Sequence, residues 1–160
     1  MNKIKYNLIL RKFCRIICFF SLGFFFIFLD QICKLLAVNF QLFPVSYNKG
    51  ISFGFLPSNW WLAVNLIIII AIFAIFIKKM GLGILLILAG GISNLLDRIW
   101  RGGVVDYICI LLFPWRFNLA DIGIALGIVL IIYGYAIALL KTRKTRKPFN
   151  NETNKPKNNF

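Results

Sequence analysis

Nineteen consecutive residues, Ile122 to Leu140, carry no charged side chain. Water tolerates such a run poorly, whereas a bilayer accepts it. A helix crossing the hydrocarbon core needs about 20 mostly apolar residues at a rise of about 1.5 Å each. Four stretches fit that length, roughly Ile16 to Val38, Trp60 to Ile77, Met80 to Leu96 and Phe117 to Leu140. With 60% hydrophobic residues in the sequence and a mean hydropathy of +0.81, a soluble domain of this size lacks the polar surface to cover its apolar surface. The expected fold is all-α and membrane-embedded. It has four transmembrane helices, with a small extended or β platform and a short lid segment at the outer face.

The domain organisation follows from the same pattern. Residues 1–15 form a basic cytoplasmic N-terminus, 16–140 the four-helix unit, and 141–160 a basic, disordered cytoplasmic tail rich in Lys, Asn and Thr. The first span resembles a signal peptide in outline, but no small-x-small cleavage site follows it, so it is expected to be retained.

A net charge of +14 suggests nucleic acid until its placement is considered. Fourteen of the nineteen cations lie before the first span, between spans two and three, or after the fourth. All fourteen fall on one side if both termini are cytoplasmic, as the positive-inside rule requires. That distribution indicates orientation and contact with membrane lipids, and it argues against a nucleic-acid partner. Arg98, Arg101 and Arg116 fall on the other side and are expected to be partners in a local polar network with Asp97 and Asp106. Cys14, Cys18, Cys33 and Cys109 show no metal-ligand spacing, and no histidine exists to help them, so they are expected to be buried apolar thiols.

Only five acids are present: Asp30, Asp97, Asp106, Asp121 and Glu152. Charges at membrane depth are usually paired or functional. Asp30 has Lys34 four residues on, and Asp97 has Arg101 four residues on, which is helical ion-pair spacing. Neither Asp106 nor Asp121 has a Lys or Arg three or four residues away. Both flank the loop that joins spans three and four, so they are expected to face each other. Two adjacent carboxylates share a proton, and such a pair performs acid and base catalysis together. Asn118 and Asp121 also have the spacing of a helix N-cap with an acid in the first turn, a purely structural role compatible with the chemical one.

The absence of histidine excludes a Ser-His relay and a H-E-x-x-H zinc site. Neither a G-x-G-D pattern nor a phosphate loop occurs. Aspartates are almost the only catalytic tools left.

"DQICK" (30–34), "NKGISFG" (48–54), "GGISNLLDR" (90–98), "VVDY" (104–107) and "FNLAD" (117–121) occur in that order. The series resembles the bacterial lipoprotein signal peptidases, or signal peptidase II. The resemblance implies an intramembrane aspartic endopeptidase of the bacterial inner membrane, with its active site near the outer face. Its substrates would be diacylglyceryl-modified prolipoproteins, cut just before the lipidated cysteine. It also implies Asp106 and Asp121 as the catalytic pair, with Asn48, Gly50, Asn94, Arg98 and Asn118 around the substrate. Asp30, Lys34 and Asp97 would be supporting residues. No cofactor or metal is implied, and globomycin-type cyclic peptides would be inhibitors. Two positions depart from the family pattern: Ser93 precedes Asn94, and Ile51 follows Gly50. Both bear on substrate range.

The platform is expected within Phe40 to Asn59, where turn formers alternate with aromatics, and the lid within Ile108 to Phe117. A rival class is a small membrane transporter or ion-binding protein that uses the same aspartates. Such a protein is expected to show repeats or broken helices at the midplane, whereas these acids gather at one end.

Overall fold

The computed structural model describes residues 3–40, 44–49, 61–76, 81–110 and 115–145. Four helices run through them: α1 (Lys3–Phe40), α2 (Trp61–Phe76), α3 (Leu82–Arg101) and α4 (Leu119–Thr145). Lys5–Phe40, Leu82–Arg101 and Leu119–Arg143 are long and apolar enough to cross a membrane. In α2, sixteen residues run without a charge.

α1, α3 and α4 run past the expected spans. At about 1.5 Å per residue, α1 is about 57 Å long, well beyond a hydrocarbon core of about 30 Å. Helix continues through the described basic residues beyond the first and fourth spans, from Lys3 to Arg15 and from Lys141 to Lys144, because lysine and arginine are good helix formers once outside the apolar layer. α3 likewise carries its polar end, Asp97 to Arg101, inside the helix.

Most of the interior belongs to α3. It packs against the other three helices, most extensively along α4. Ile84, Leu85, Leu86, Leu88 and Ala89 are buried there, while large apolar side chains on α1 and α4 point outward. Lipid does the work that a core does in water, so outward apolar faces need no protein partner. The same reason corrects the expectation for the cysteines: Cys14, Cys18 and Cys109 are exposed, and only Cys33 is half-buried.

Glycine permits the close α3–α4 approach. A Cβ on Gly90 would stand 2.6 Å from the Ala120 carbonyl oxygen. Only a residue without a side chain lets these backbones meet. Gly102 then ends α3 in the left-handed region, at φ 70°, and turns the chain into β2.

The platform is a pair of two-stranded antiparallel ladders. β1 (Ser46–Asn48) pairs with β2 (Val104–Asp106), setting Ser46 opposite Asp106 and Asn48 opposite Val104. β3 (Ile108–Cys109) pairs with β4 (Arg116–Phe117), so the segment expected to be a lid is held at its base as a hairpin. Gly50, Ile51 and the remainder of the expected platform lie outside the described residues.

Candidate active site

The polar residues collect where α1 nears its C-terminal end, α3 ends, and α4 begins. Asp30, Lys34, Ser93, Asp97 and Asn118 are fully buried, and Asn94, Arg98 and Asp106 nearly so.

Lys34 is the hub. Its ammonium has three N–H donors, and each has a partner: Asp30 Oδ2 at 2.7 Å, Asp97 Oδ2 at 2.8 Å and Asn94 Oδ1 at 2.9 Å. The two ion pairs read from i,i+4 spacing both exist, but they are not separate. Lys34 fuses them, and Arg101 extends the set by bonding Asp97 and donating to Gln31 Oε1 at 2.9 Å. Gln31 in turn donates to Asp97 Oδ1 at 3.0 Å and to Ser93 Oγ at 3.0 Å. Arg98 donates to the Asn94 carbonyl at 3.2 Å and lies near Asp121, Asp106 and Asp97. Arg116 is on β4 opposite Cys109 and makes none of these contacts.

Each outer carboxylate of this triad also grips the backbone beside one of the two remaining acids. Asp97 Oδ2 accepts the Val105 N–H at 3.2 Å, one residue before Asp106. Asp30 Oδ1 accepts the Ala120 N–H at 2.9 Å, one residue before Asp121. The ion-paired lysine therefore holds both chain segments in one frame.

Asp106 and Asp121 meet across Asn118. The Asn118 amide donates to Asp106 Oδ1 at 2.7 Å. Its Oδ1 accepts the Asp121 N–H at 3.0 Å, while Asp121 Oδ2 accepts the Asn118 N–H at 3.2 Å. That reciprocal pair is a capping box at the start of α4. Asn94 adds a bond to Asp121 Oδ1 at 2.8 Å, and Asn48 bonds Asp106 from β1. Burial, then the nearby charge of Asp121, push the Asp106 carboxyl up to about 6, against the amides of Asn118 and Asn48 and the charge of Lys34.

The residues singled out from sequence and described here come together: Asp30, Lys34, Asn48, Asn94, Asp97, Arg98, Asp106, Asn118 and Asp121. Gly50 lies outside the described residues. Sequence pattern does not single out Gln31 or the Ala120 amide, and it marks Ser93 only as a departure. The signal available for Gln31 was its polarity inside an apolar run. No sequence signal marks a backbone amide.

Fold and site together define a class: a multi-helix membrane protein with a buried polar site at one end of its bundle, centred on two carboxylates. The family model described as signal peptidase (SPase) II matches residues 22–137, and the chain belongs to that family. A lipoprotein signal peptidase of Caulobacter vibrioides is 42% identical over 98 residues, a match covering 54% of this chain and 58% of that relative. The match thus spans little more than half the length of the relative. Two solved structures, each described as a bacterial membrane enzyme determined by the in meso method, at 2.3 Å and 1.9 Å, share 28% identity with the chain. Their TM-scores are 0.66 and 0.64, covering 81% and 78% of this chain and 92% and 93% of theirs.

Proposed function

We propose that this protein is an intramembrane aspartic endopeptidase that removes signal peptides from diacylglyceryl-modified prolipoproteins, cutting just before the lipidated cysteine. The observation that carries the reading is the Asn118 bridge, which bonds Asp106 and Asp121 at once. Family membership supports the substrate class.

In this mechanism Asp106 carries the shared proton and Asp121 is the carboxylate. Asp121 takes a proton from water as the oxygen attacks the scissile carbonyl, while Asp106 protonates the carbonyl oxygen. The resulting diol collapses, Asp121 passes its proton to the leaving nitrogen, and Asp106 recovers one from a diol hydroxyl. The residues Asn48, Asn94 and Asn118 orient the acids, Arg98 borders the peptide, and the family resemblance adds Gly50 to the substrate residues. Asp30, Lys34 and Asp97 hold the frame. No metal or cofactor takes part.

Residues 16–140 form the peptidase unit in this reading. The cation distribution supports cytoplasmic termini, and hence a site near the outer face of the inner membrane. Membrane lipids surround the apolar faces, and globomycin-type cyclic peptides are inhibitors in this reading.

The test is cleavage of a diacylglyceryl-modified precursor peptide by the purified full chain in detergent. Asp106→Asn and Asp121→Asn each abolish cleavage while the protein remains inserted, and the double variant is no worse than either single, because the two act as one unit. Substantial cleavage by either inserted single variant removes the pair and leaves Asp121 as a helix cap.

A further inference from the structure

Ser93 is fully buried on α3, and its hydroxyl makes two bonds inside the frame. The oxygen accepts from Gln31 Nε2 at 3.0 Å, and the same amide reaches the Ser93 carbonyl at 3.1 Å. The hydroxyl in turn donates to Asp30 Oδ2 at 2.6 Å. A hydroxyl held about 2.5–2.7 Å from a carboxylate makes a strong, charge-assisted contact. With Gln31 occupying its oxygen, Ser93 has its proton left for Asp30.

Asp30 joins α1 to α3 and α4. Its Oδ2 takes Ser93 and the Lys34 ammonium, while Oδ1 takes the Ala120 N–H at 2.9 Å. The two donors on Oδ2 fix different things. Lys34 is a point charge on a flexible stem, and it comes from the same helix as Asp30. Ser93 is a directional donor on a short side chain, and it comes from another helix, 63 residues away. The charge keeps the carboxylate in place, and the hydroxyl sets the plane in which its other oxygen meets Ala120.

We propose that Ser93 is a positioning residue for Asp121: from α3 it aims the Asp30 carboxylate, which fixes the backbone at Ala120 from which Asp121 follows. It acts through Asp30 rather than on the peptide. The departure before Asn94 thereby gains a place in the frame that holds the acids. The kinetic consequence rests on the peptidase reading, and the structural one does not.

The experiment is Ser93→Ala in the full chain, which removes only the hydroxyl. Ser21→Ala, at an exposed position of α1, is the control and matches wild type throughout. Small misplacements of reacting groups are expensive, so kcat per folded molecule on a diacylglyceryl-modified precursor peptide falls about tenfold in Ser93→Ala, with KM within about twofold. Amide hydrogen exchange at Ala120 speeds up relative to the rest of α4. Wild-type kcat in Ser93→Ala overturns the proposal. So does a fall in kcat with unchanged exchange at Ala120, because the effect then bypasses Asp30. Exchange that rises evenly along α4 overturns it as well, since that is plain destabilisation. If Ser93→Ala does not fold, Ser93→Cys, which keeps a weaker donor, is read by the same two measurements and the same criteria. If the wild-type protein fails to cleave the peptide, the peptidase reading falls, and exchange at Ala120 still decides whether Ser93 aims Asp30.

Discussion

Asp106 shows at the scale of a single residue how the membrane-end environment sets chemistry. Its ordinary value of 3.8 is raised to about 6, chiefly by burial and then by Asp121. A raised value in the folded state means that the native protein holds this proton more tightly than the unfolded chain does. The corresponding stability is fully present below 3.8 and is lost as pH rises through about 6. An amide at this position never ionises and still accepts the bond from Asn118. Asp106→Asn is therefore more stable than wild type at pH 8, by on the order of 3 kcal/mol, and the gain shrinks toward zero near pH 4. Thermal unfolding in detergent at both pH values checks this. A gap that stays constant with pH would show that Asp106 does not carry the titrating proton.

Between elements, the decisive distance is the one separating α3 from α4. Asn94 on α3 bonds Asp121 on α4, and Gly90, one turn earlier, lets the backbones approach. In Gly90→Ala the new Cβ would stand 2.6 Å from the Ala120 carbonyl oxygen and 2.8 Å from Ile124 Cγ1. Backbone gives way poorly, so the helices separate beside the site. The expected outcome is a loss of about 1–3 kcal/mol in stability, together with reduced cleavage per folded molecule. Gly134→Ala on α4 is the comparison, because nothing lies within 4 Å of its added Cβ. That variant is neutral or slightly stabilised, since alanine favours helix over glycine. Equal behaviour of the two variants would show that the close approach at Gly90 does not matter.

At the scale of the whole molecule, Lys34 ties α1 to both segments that carry the acids. Lys34→Met would leave Asp30 and Asp97 buried without the central cation. Breaking a buried ion set from one side costs about 3–5 kcal/mol, so yield and unfolding midpoint both fall steeply. Asp97→Asn is milder, because an amide oxygen still accepts the Val105 N–H while the ion pair with Lys34 is lost. Measuring folded yield and midpoint for both variants checks the ranking, and a well-folded Lys34→Met would remove the hub. Deleting residues 146–160, by contrast, leaves cleavage in detergent intact, because every described polar partner of the site lies between Asp30 and Asp121. Loss of activity in a well-folded truncation would contradict that placement.

Composition and local pattern were enough to establish the membrane class, the helices and the two acids lacking local cations. Each of these depends on neighbours along the chain: an uncharged run long enough to span, an i,i+4 pair, a cap spacing. The ladder of β2 with β1 and the hairpin of β3 with β4 were legible only as extended platform and lid, since short strands carry little periodicity. The outward cysteines were misread because burial rules learned in water invert in lipid. What only the tertiary structure decided is the wiring. The two apparently separate ion pairs share one lysine, Gln31 and Ser93 belong to the same network, and Asp30 and Asp97 reach backbone amides ninety and eight residues away. Hydrogen bonds to backbone are blind to side-chain identity at the receiving position. No pattern of residue types announces them, and they exist only once the helices are packed.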